Sequence, residues 1–409
     1  MVINNMQLID KEDTKKSGER TKQYGNVEVT DAEIAGVSEW FSTKYHTLTL
    51  EHDKKTIWVY RERNGCYTPN GIDLIEQIYG TRIGWDRPSI MSRIHLHIRG
   101  LSKIEADKFE NSNQYINLKN CVYDILARSG NNEHNHKYKF KYILPMEFDY
   151  EAKCPNFDKV LKDTFPKLED RRLIMRWFAY HFVSGRREAK SLFIFGPPES
   201  FKSTLLEILR EFLGAGTCSS YKFKDIAEDK NYSVAGLYGK LANINFDLGV
   251  NTIQEISMFK QLTSRDPVTV RAIYRDSITF RNKCKFTFAC NTLPHLPDNI
   301  INDDAWWRRV MVLETKKNYK KRDHNLYYKM IDELPGIFNR IRSELEEISI
   351  EPGNLFRDKD YRDIWIENMY LKPVGGRPVG RPAKIIEEDT IDFEKIKREK
   401  IYGINNENV

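Results

Sequence analysis

The nine residues GPPESFKST at 196–204 constrain this chain more than any other stretch. They follow the apolar run SLFIF, a buried-strand pattern, and lead into a segment where Leu205, Ile208, Leu209, Phe212 and Leu213 share one helical face before Gly214. Strand, loop, Lys-Ser-Thr and helix, in that order, is the context of a phosphate-binding loop. Such a loop works because successive backbone N–H groups and a helix N-terminus point at the anion. Gly196, Pro197, Pro198, Glu199, Ser200, Phe201, Lys202, Ser203 and Thr204 are therefore the candidate nucleotide-binding residues. Lys202 is placed to neutralise β/γ-phosphate charge and Ser203 to offer a hydroxyl to Mg²⁺. Phe201 is the objection, because the residue before the lysine often needs the backbone freedom of glycine. Two readings stay open on the loop alone. Either Phe201 accepts about 1–2 kcal/mol of strain on the usual path, or the loop takes another path and binds ATP less well.

Downstream positions bear on that choice. GKLANINFDL (239–248) predicts a strand ending at Asp247, a carboxylate suited to Mg²⁺ and to orienting a water. KFTFACNTLP (285–294) predicts a second strand ending at Asn291, a polar group for the γ-phosphate or the attacking water. DDAWWRRVMVLE (303–314) puts Arg308 and Arg309 before a further apolar strand, as a candidate arginine finger or as surface arginines held by Trp306 and Trp307.

Composition restricts the class of protein. The 409 residues suffice for two or three domains, and 40% hydrophobic with 30% charged residues describes a soluble globular chain. No run approaches the ~18 apolar residues of a membrane span. Residues 1–30 are polar and lack a signal-peptide core, so the expectation is a cytoplasmic protein with a flexible lead-in. A net charge of +6 permits nucleic-acid binding without demanding it. Six cysteines without C-x-x-C spacing, and the pairs His95/His97 and His134/His136 without companion donors, argue against a metal centre. The i, i+2 histidines are expected on one face of a strand.

Along the chain, KTIWVYRERNGCYTPNG reads as short strands, GIDLIEQIYG as a helix, and QYINLKNCVYDI and YKFKYILPMEFDY as strands. Helical spacing fills 157–185, and 325–348 reads as helices broken at Pro335-Gly336. Four parts follow: a flexible segment 1–30, a collar module 31–185, an α/β domain 186–350, and a linker with charged tail 351–409.

GPPESFKST, GKLANINFDL, FKQLTSRDPVTVRAIYRDSITF, KFTFACNTLP and WWRRV stand in order, after YINLKNCVYDI and FDYEAKCPNFDKVLKDTF and before DELPGIFNRI. Over about residues 40–350 this set resembles the superfamily 3 helicase module of phage, plasmid and poxvirus-type primase-helicases. The resemblance implies an α/β fold with an AAA+-type P-loop NTPase core, its central β-sheet flanked by helices, behind a smaller, mainly helical or α+β collar. It also implies a ring-shaped homohexamer, Mg²⁺-ATP hydrolysis, and 3′-to-5′ movement on DNA in replication of a virus, plasmid or integrated element. By the same resemblance Lys202 is the phosphate lysine, Ser203 the magnesium hydroxyl, Asp247 the Walker B carboxylate and Asn291 the sensor. Arg309, with Arg308 beside it, is the finger acting across a subunit boundary.

The family's channel hairpin usually carries a lysine where Ile273 stands here, with Arg271 and Arg275 on the same strand face and Tyr274 between. The arginines suit phosphates and Tyr274 a base or sugar, so Arg271, Tyr274 and Arg275 are the candidate DNA-binding residues. Residues 1–100 are too short for a primase domain, so primase or initiator activity is expected from a separate protein. GGRPVGRPAK (375–384) is similar to the core of minor-groove AT-hook peptides and also reads as a flexible linker. The competing class is a DNA-binding initiator scaffold that keeps the fold but hydrolyses ATP poorly, with Phe201 as the lesion. A non-helicase NTPase acting on protein partners would leave the arginine hairpin unexplained.

Overall fold

The computed structural model describes residues 28–370 apart from 52, 54, 83–84, 110–113, 183–187, 228–231, 250–252, 265, 272–276, 317–324, 351–355 and 357–358. The GGRPVGRPAK segment and the tail after it lie outside the described residues. The chain opens with α1 (Asp31–Lys44), β1 (Thr49–Leu50), the paired β2 (Val59–Arg61) and β3 (Cys66–Thr68), α2 (Gly71–Tyr79), α3 (Pro88–Leu101) and β4 (Lys103–Ile104). It divides into two compact units, one of residues up to Val59 with Pro69–Ile104, the other of Tyr60–Thr68 with everything from Glu105.

The smaller, N-terminal unit is built on two amphipathic helices. α1 begins at a capping box, in which the Thr30 hydroxyl accepts from the Glu33 amide and the Glu33 carboxylate accepts from the Thr30 amide. Ile34, Val37 and Phe41 of α1 share a buried cluster with Ile90, Met91, Ile94 and Ile98 of α3. His95 and His97 lie on α3, so they belong to a helix and not to a strand, and i, i+2 spacing turns them to different sides.

The second unit contains the antiparallel sheet β5 (Tyr115–Asn117), β6 (Val122–Asp124) and β7 (Ser129–Asn132), then α4 (Pro155–Thr164) and α5 (Leu168–Tyr180). YKFKYILPMEFDY forms no strand. Phe140, Leu144 and Met146 are buried with the period of a strand, but Pro145 offers no N–H and the neighbouring amides bond irregularly, Leu144 to Asn117 O and Lys119 to Met146 O.

The chain continues through β8 (Ser191–Phe195), α6 (Lys202–Leu213), β9 (Cys218–Ser219), α7 (Phe223–Ala227), α8 (Tyr232–Ala235), β10 (Ala242–Asn245) and α9 (Ser257–Thr263). The hairpin β11 (Pro267–Arg271) and β12 (Ser277–Arg281) follows, then β13 (Lys285–Cys290), α10 (Asp298–Ile301), α11 (Asp304–Trp307) and β14 (Val310–Glu314). Last come α12 (Leu326–Asp332), α13 (Leu334–Ile350) and α14 (Arg362–Tyr370). SLFIF, ANIN, KFTFAC and VMVLE are the core strands of one parallel sheet, in the order β14-β8-β13-β10-β9.

Both faces of that sheet are covered, which is why its strands are apolar runs. On one face the Trp177 indole of α5 donates to Thr287 of β13. On the other, Phe193 and Phe288 stack at 5.0 Å, and Phe223 of α7, Trp306 of α11 and Trp365 of α14 close over them. The fold is thus α/β, with a central five-stranded parallel sheet flanked by helices and a smaller N-terminal unit. Residues 105–182, grouped by sequence with the N-terminal module, share one hydrophobic core with this sheet. Arg172 and Arg176 of α5 pair with Glu344 and Glu347 of α13 on the same side.

The break at DELPG falls at Glu333, two residues before Pro335, which sits in the first turn of α13 where a missing N–H costs nothing. Glu333 caps the start of α4, its carboxylate accepting from the amides of Asn156 and Phe157. A Cβ on Gly336 would lie 2.3 Å from the Lys153 carbonyl, so glycine lets α13 approach that backbone.

No helix among the described residues is long and apolar enough to cross a membrane.

Candidate functional site

In a parallel sheet all strands end on one edge, and β8, β13 and β10 are consecutive neighbours. Ligands of open α/β sheets collect at that edge. The loop after β8 starts at Gly196, with φ of 148°, where a Cβ would stand 2.2 Å from Thr315 Oγ1 and 2.3 Å from Thr315 O. Only glycine fits against the end of β14. The Thr315 amide donates to Phe195 O at 2.8 Å, and its hydroxyl lies 2.6 Å from that of Ser200. This fastens the middle of the loop to the sheet.

Phe201 occupies the N-cap of α6 with φ of 73° and ψ of 0°. It takes the left-handed conformation that glycine would supply, so the loop keeps the usual path. Its ring is half-buried and packs on the main core, which offsets part of the strain. As an N-cap it supplies no side-chain acceptor, so it does not compete for the first-turn amides of α6. Phe201→Ala and Phe201→Gly both delete the ring, but only alanine keeps a Cβ at positive φ. Phe201→Gly is expected to unfold at higher urea than Phe201→Ala, by about 1 kcal/mol. Equal midpoints would remove the strain from the account.

Lys202 is buried, and its ammonium donates to Gly196 O at 2.8 Å, Pro197 O at 2.7 Å and Ser200 Oγ at 3.1 Å. All three donors are thus directed into the bowl of the loop. Burial pushes its pKa below the usual lysine range, with an opposing contribution from Cys290. Ser203 is exposed at the start of α6 and Thr204 half-buried beside it. Asp247 follows β10, exposed, with one carboxylate oxygen accepting from the Gly249 amide at 3.1 Å. Asn291 is exposed directly after β13.

Cys290, which the sequence reading passed over, is buried at the end of β13. Burial pushes its thiol up to about 12, Lys202 pulling it down and Asp247 raising it further. Thr315 and Asn245 were also missed. Asn245 is buried on β10 with Oδ1 unpartnered, two residues before Asp247. Neither residue has a motif, and only the strand order brings it to this edge.

The described residues contain no group of three or more His, Cys, Asp and Glu able to cage a metal. One hydroxyl and one carboxylate, those of Ser203 and Asp247, suit Mg²⁺ arriving with a nucleotide, which keeps water and phosphate oxygens as most of its ligands. Ser203 and Asp247 are the residues that would hold it here.

Arg308 and Arg309 stand at the opposite edge. Arg309 O accepts from the Ser191 amide, at the first residue of β8. The Arg309 side chain is half-buried and engaged within the chain, Nε donating to Thr263 Oγ1 at 2.9 Å and Nη1 to Ala305 O at 2.6 Å. Arg308 is exposed. The sequence reading favoured Arg309 for contact with a neighbour, but its guanidinium braces α11 against α9.

Hairpin strands β11 and β12 pair from Pro267↔Arg281 to Arg271↔Ser277. Val268, Val270 and Phe280 are buried beneath it, while Thr269, Ser277, Thr279 and Arg281 are exposed. Arg271 ends β11, and Ile273, Tyr274 and Arg275 lie outside the described residues.

Two family models match this chain: "D5 N terminal like" over residues 36–166 and "Family of unknown function (DUF5906)" over 194–309. The second spans the loop, Asp247, the hairpin, Asn291 and both arginines. A protein of Acanthamoeba polyphaga mimivirus named "Putative helicase L207/L206" is 30% identical over 185 residues, covering 42% of this chain and 18% of that protein. The chain therefore spans under a fifth of that relative. The apo structure of the NrS-1 C-terminal region (305–718) superposes with a TM-score of 0.51 at 13% identity, over 84% of this chain and 76% of that one. That likeness is one of fold.

Proposed function

We propose that this chain is an ATP-driven replicative DNA helicase, a ring motor of the superfamily 3 type whose ATP sites lie between subunits. The observation that carries the reading is the sheet edge where Lys202, Asp247 and Asn291 end three neighbouring strands or their loops, with Arg308 exposed at the far edge. The match to a viral protein named as a helicase supports the same class. Mg²⁺-ATP is the substrate. The loop amides and Lys202 hold the β- and γ-phosphates, and Ser203 and Asp247 hold the ion. Asp247 and Asn291 orient the attacking water, and Arg308 of the adjacent subunit stabilises charge on the transferred phosphoryl. A homohexamer, 3′-to-5′ movement and a separate primase belong to this reading.

The scaffold alternative needed Phe201 to spoil the loop. Its left-handed backbone, the conformation a glycine would supply, supports the hydrolysing reading over that alternative.

DNA enters through the hairpin. Arg271, Tyr274 and Arg275 are proposed to grip a single strand, with the exposed hydroxyls of Thr269, Ser277 and Thr279 and the Arg281 guanidinium continuing the polar face down the stem. ATP turnover of the intact chain should rise on adding single-stranded DNA. Arg271→Ala with Arg275→Ala should weaken single-strand binding and reduce the slope of log affinity against log salt by about 1–2. Turnover indifferent to DNA, with an unchanged salt slope in the double variant, would refute the helicase reading.

A further inference from the structure

The hairpin root is bolted to the helix that ends in Arg308. α9 runs directly before the hairpin, Thr263 ending the helix and Pro267 starting β11. On the return side, buried Asn282 follows β12 and donates through Nδ2 to Leu262 O of α9 at 2.8 Å. Its Oδ1 accepts from the Cys284 amide, so the amide group is held at both ends. Both strands of the hairpin are therefore anchored on the last turn of α9.

That turn is joined to α11 in three ways. Thr263 is fully buried, its hydroxyl donates to Phe259 O at 2.7 Å, and the same oxygen accepts from Arg309 Nε at 2.9 Å. Lys260 Nζ donates to Asp303 Oδ2 at 3.0 Å, while Asp303 Oδ1 caps α11 at the Ala305 amide. Burial opposes ionisation of Asp303, but Lys260 and that amide outweigh it and hold its carboxyl below the usual range. Phe259 and Trp306 add an aromatic contact at 5.6 Å. Buried hydrogen bonds to charged groups are costly to break, so α9 and α11 have little freedom to shift separately.

We propose that α9, the hairpin root and α11 move as one rigid body, with Thr263 and Lys260 as positioning residues that tie the DNA hairpin to the interface arginine. The inference rests on the helicase reading and adds the part that transmits the signal. When Arg308 engages a neighbour's γ-phosphate, α11 is drawn toward that site. Through Thr263 and Lys260 the same displacement reaches the hairpin, and DNA held there biases Arg308 in return. Coupling of this kind is reciprocal by linkage.

The test measures ATP turnover with and without single-stranded DNA, strand affinity and thermal midpoint in Thr263→Val, Thr263→Ser and Lys260→Met. Valine keeps the shape and removes the acceptor, and serine restores it. Thr263→Val and Lys260→Met are expected to retain basal turnover and strand affinity while losing stimulation by DNA, and Thr263→Ser to keep it. A purely structural role would lower the thermal midpoint and leave the stimulation ratio intact, which would overturn the proposal. If Thr263→Val does not fold, Lys260→Met decides alone, since its side chain is 36% exposed and leaves the Asp303 cap in place. An intact chain without DNA-stimulated turnover sinks the helicase reading, whereas intact stimulation in both variants sinks only the coupling.

Discussion

Lys202→Ala is expected to reduce ATP turnover by about 10²–10³-fold, the scale of losing one preorganised charge-stabilising donor. The lysine is already aimed by the loop: three acceptors fix its ammonium, and a β/γ-phosphate entering the bowl would take over one or more of them. The effect belongs to the chemical step, because charge on the phosphoryl oxygens is what the ammonium opposes as the leaving group departs. Removing Nζ also frees the Gly196 and Pro197 carbonyls, so looser loop packing has to be separated from lost charge. Thermal unfolding does this. A midpoint near that of the intact protein with collapsed phosphate release assigns the loss to chemistry. Undiminished release from Lys202→Ala would remove this loop from the reaction.

How far the site could be read from sequence depended on whether a residue carries a local signature. GPPESFKST announced itself because strand, lysine and helix are contiguous, and the structure gives the segment that form from Ser191 to Leu213. KFTFAC and LANINF were legible as strands for the same reason, since a buried parallel strand is a continuous apolar run, although β10 stops at Asn245, two residues short of Asp247. Strand order was not legible. Only the neighbouring of β8, β13 and β10 brings Asp247 and Asn291 to one edge, and only that of β14 and β8 brings Thr315 under the loop. YKFKYILPMEFDY misled because its alternating burial is real while its backbone ladder is absent. Residues 105–182 show a further limit of periodicity. Periodicity identified α4 and α5 but could not say that Trp177 packs on the five-stranded sheet or that Arg172 and Arg176 pair with α13.

Of the two adjacent arginines, resemblance favoured Arg309 as the finger, with Arg308 beside it. The structure separates their surroundings, and on the proposed reading Arg308→Ala is expected to lose about 10³–10⁵-fold in turnover, the range for an arginine finger. The loss should arise at a neighbouring subunit's site. Arg308 precedes β14, level with the first residue of β8, and the phosphate loop follows the last. Five residues of strand, about 15 Å, separate the two edges, so an arginine at one end does not reach its own chain's nucleotide at the other. Arg309→Ala should behave differently. It strips Thr263 and Ala305 of their donor, so basal turnover should persist while the thermal midpoint and the stimulation by DNA both fall. Mixing distinguishes an arginine acting in trans from one needed within its own chain. Arg308→Ala and Lys202→Ala subunits are each inactive alone. In a mixed ring, a Lys202→Ala subunit still offers Arg308 to a neighbour that retains Lys202, and turnover returns. Mixtures as inactive as their components, from proteins that assemble together, would place the action of Arg308 within its own chain and rule out a shared site.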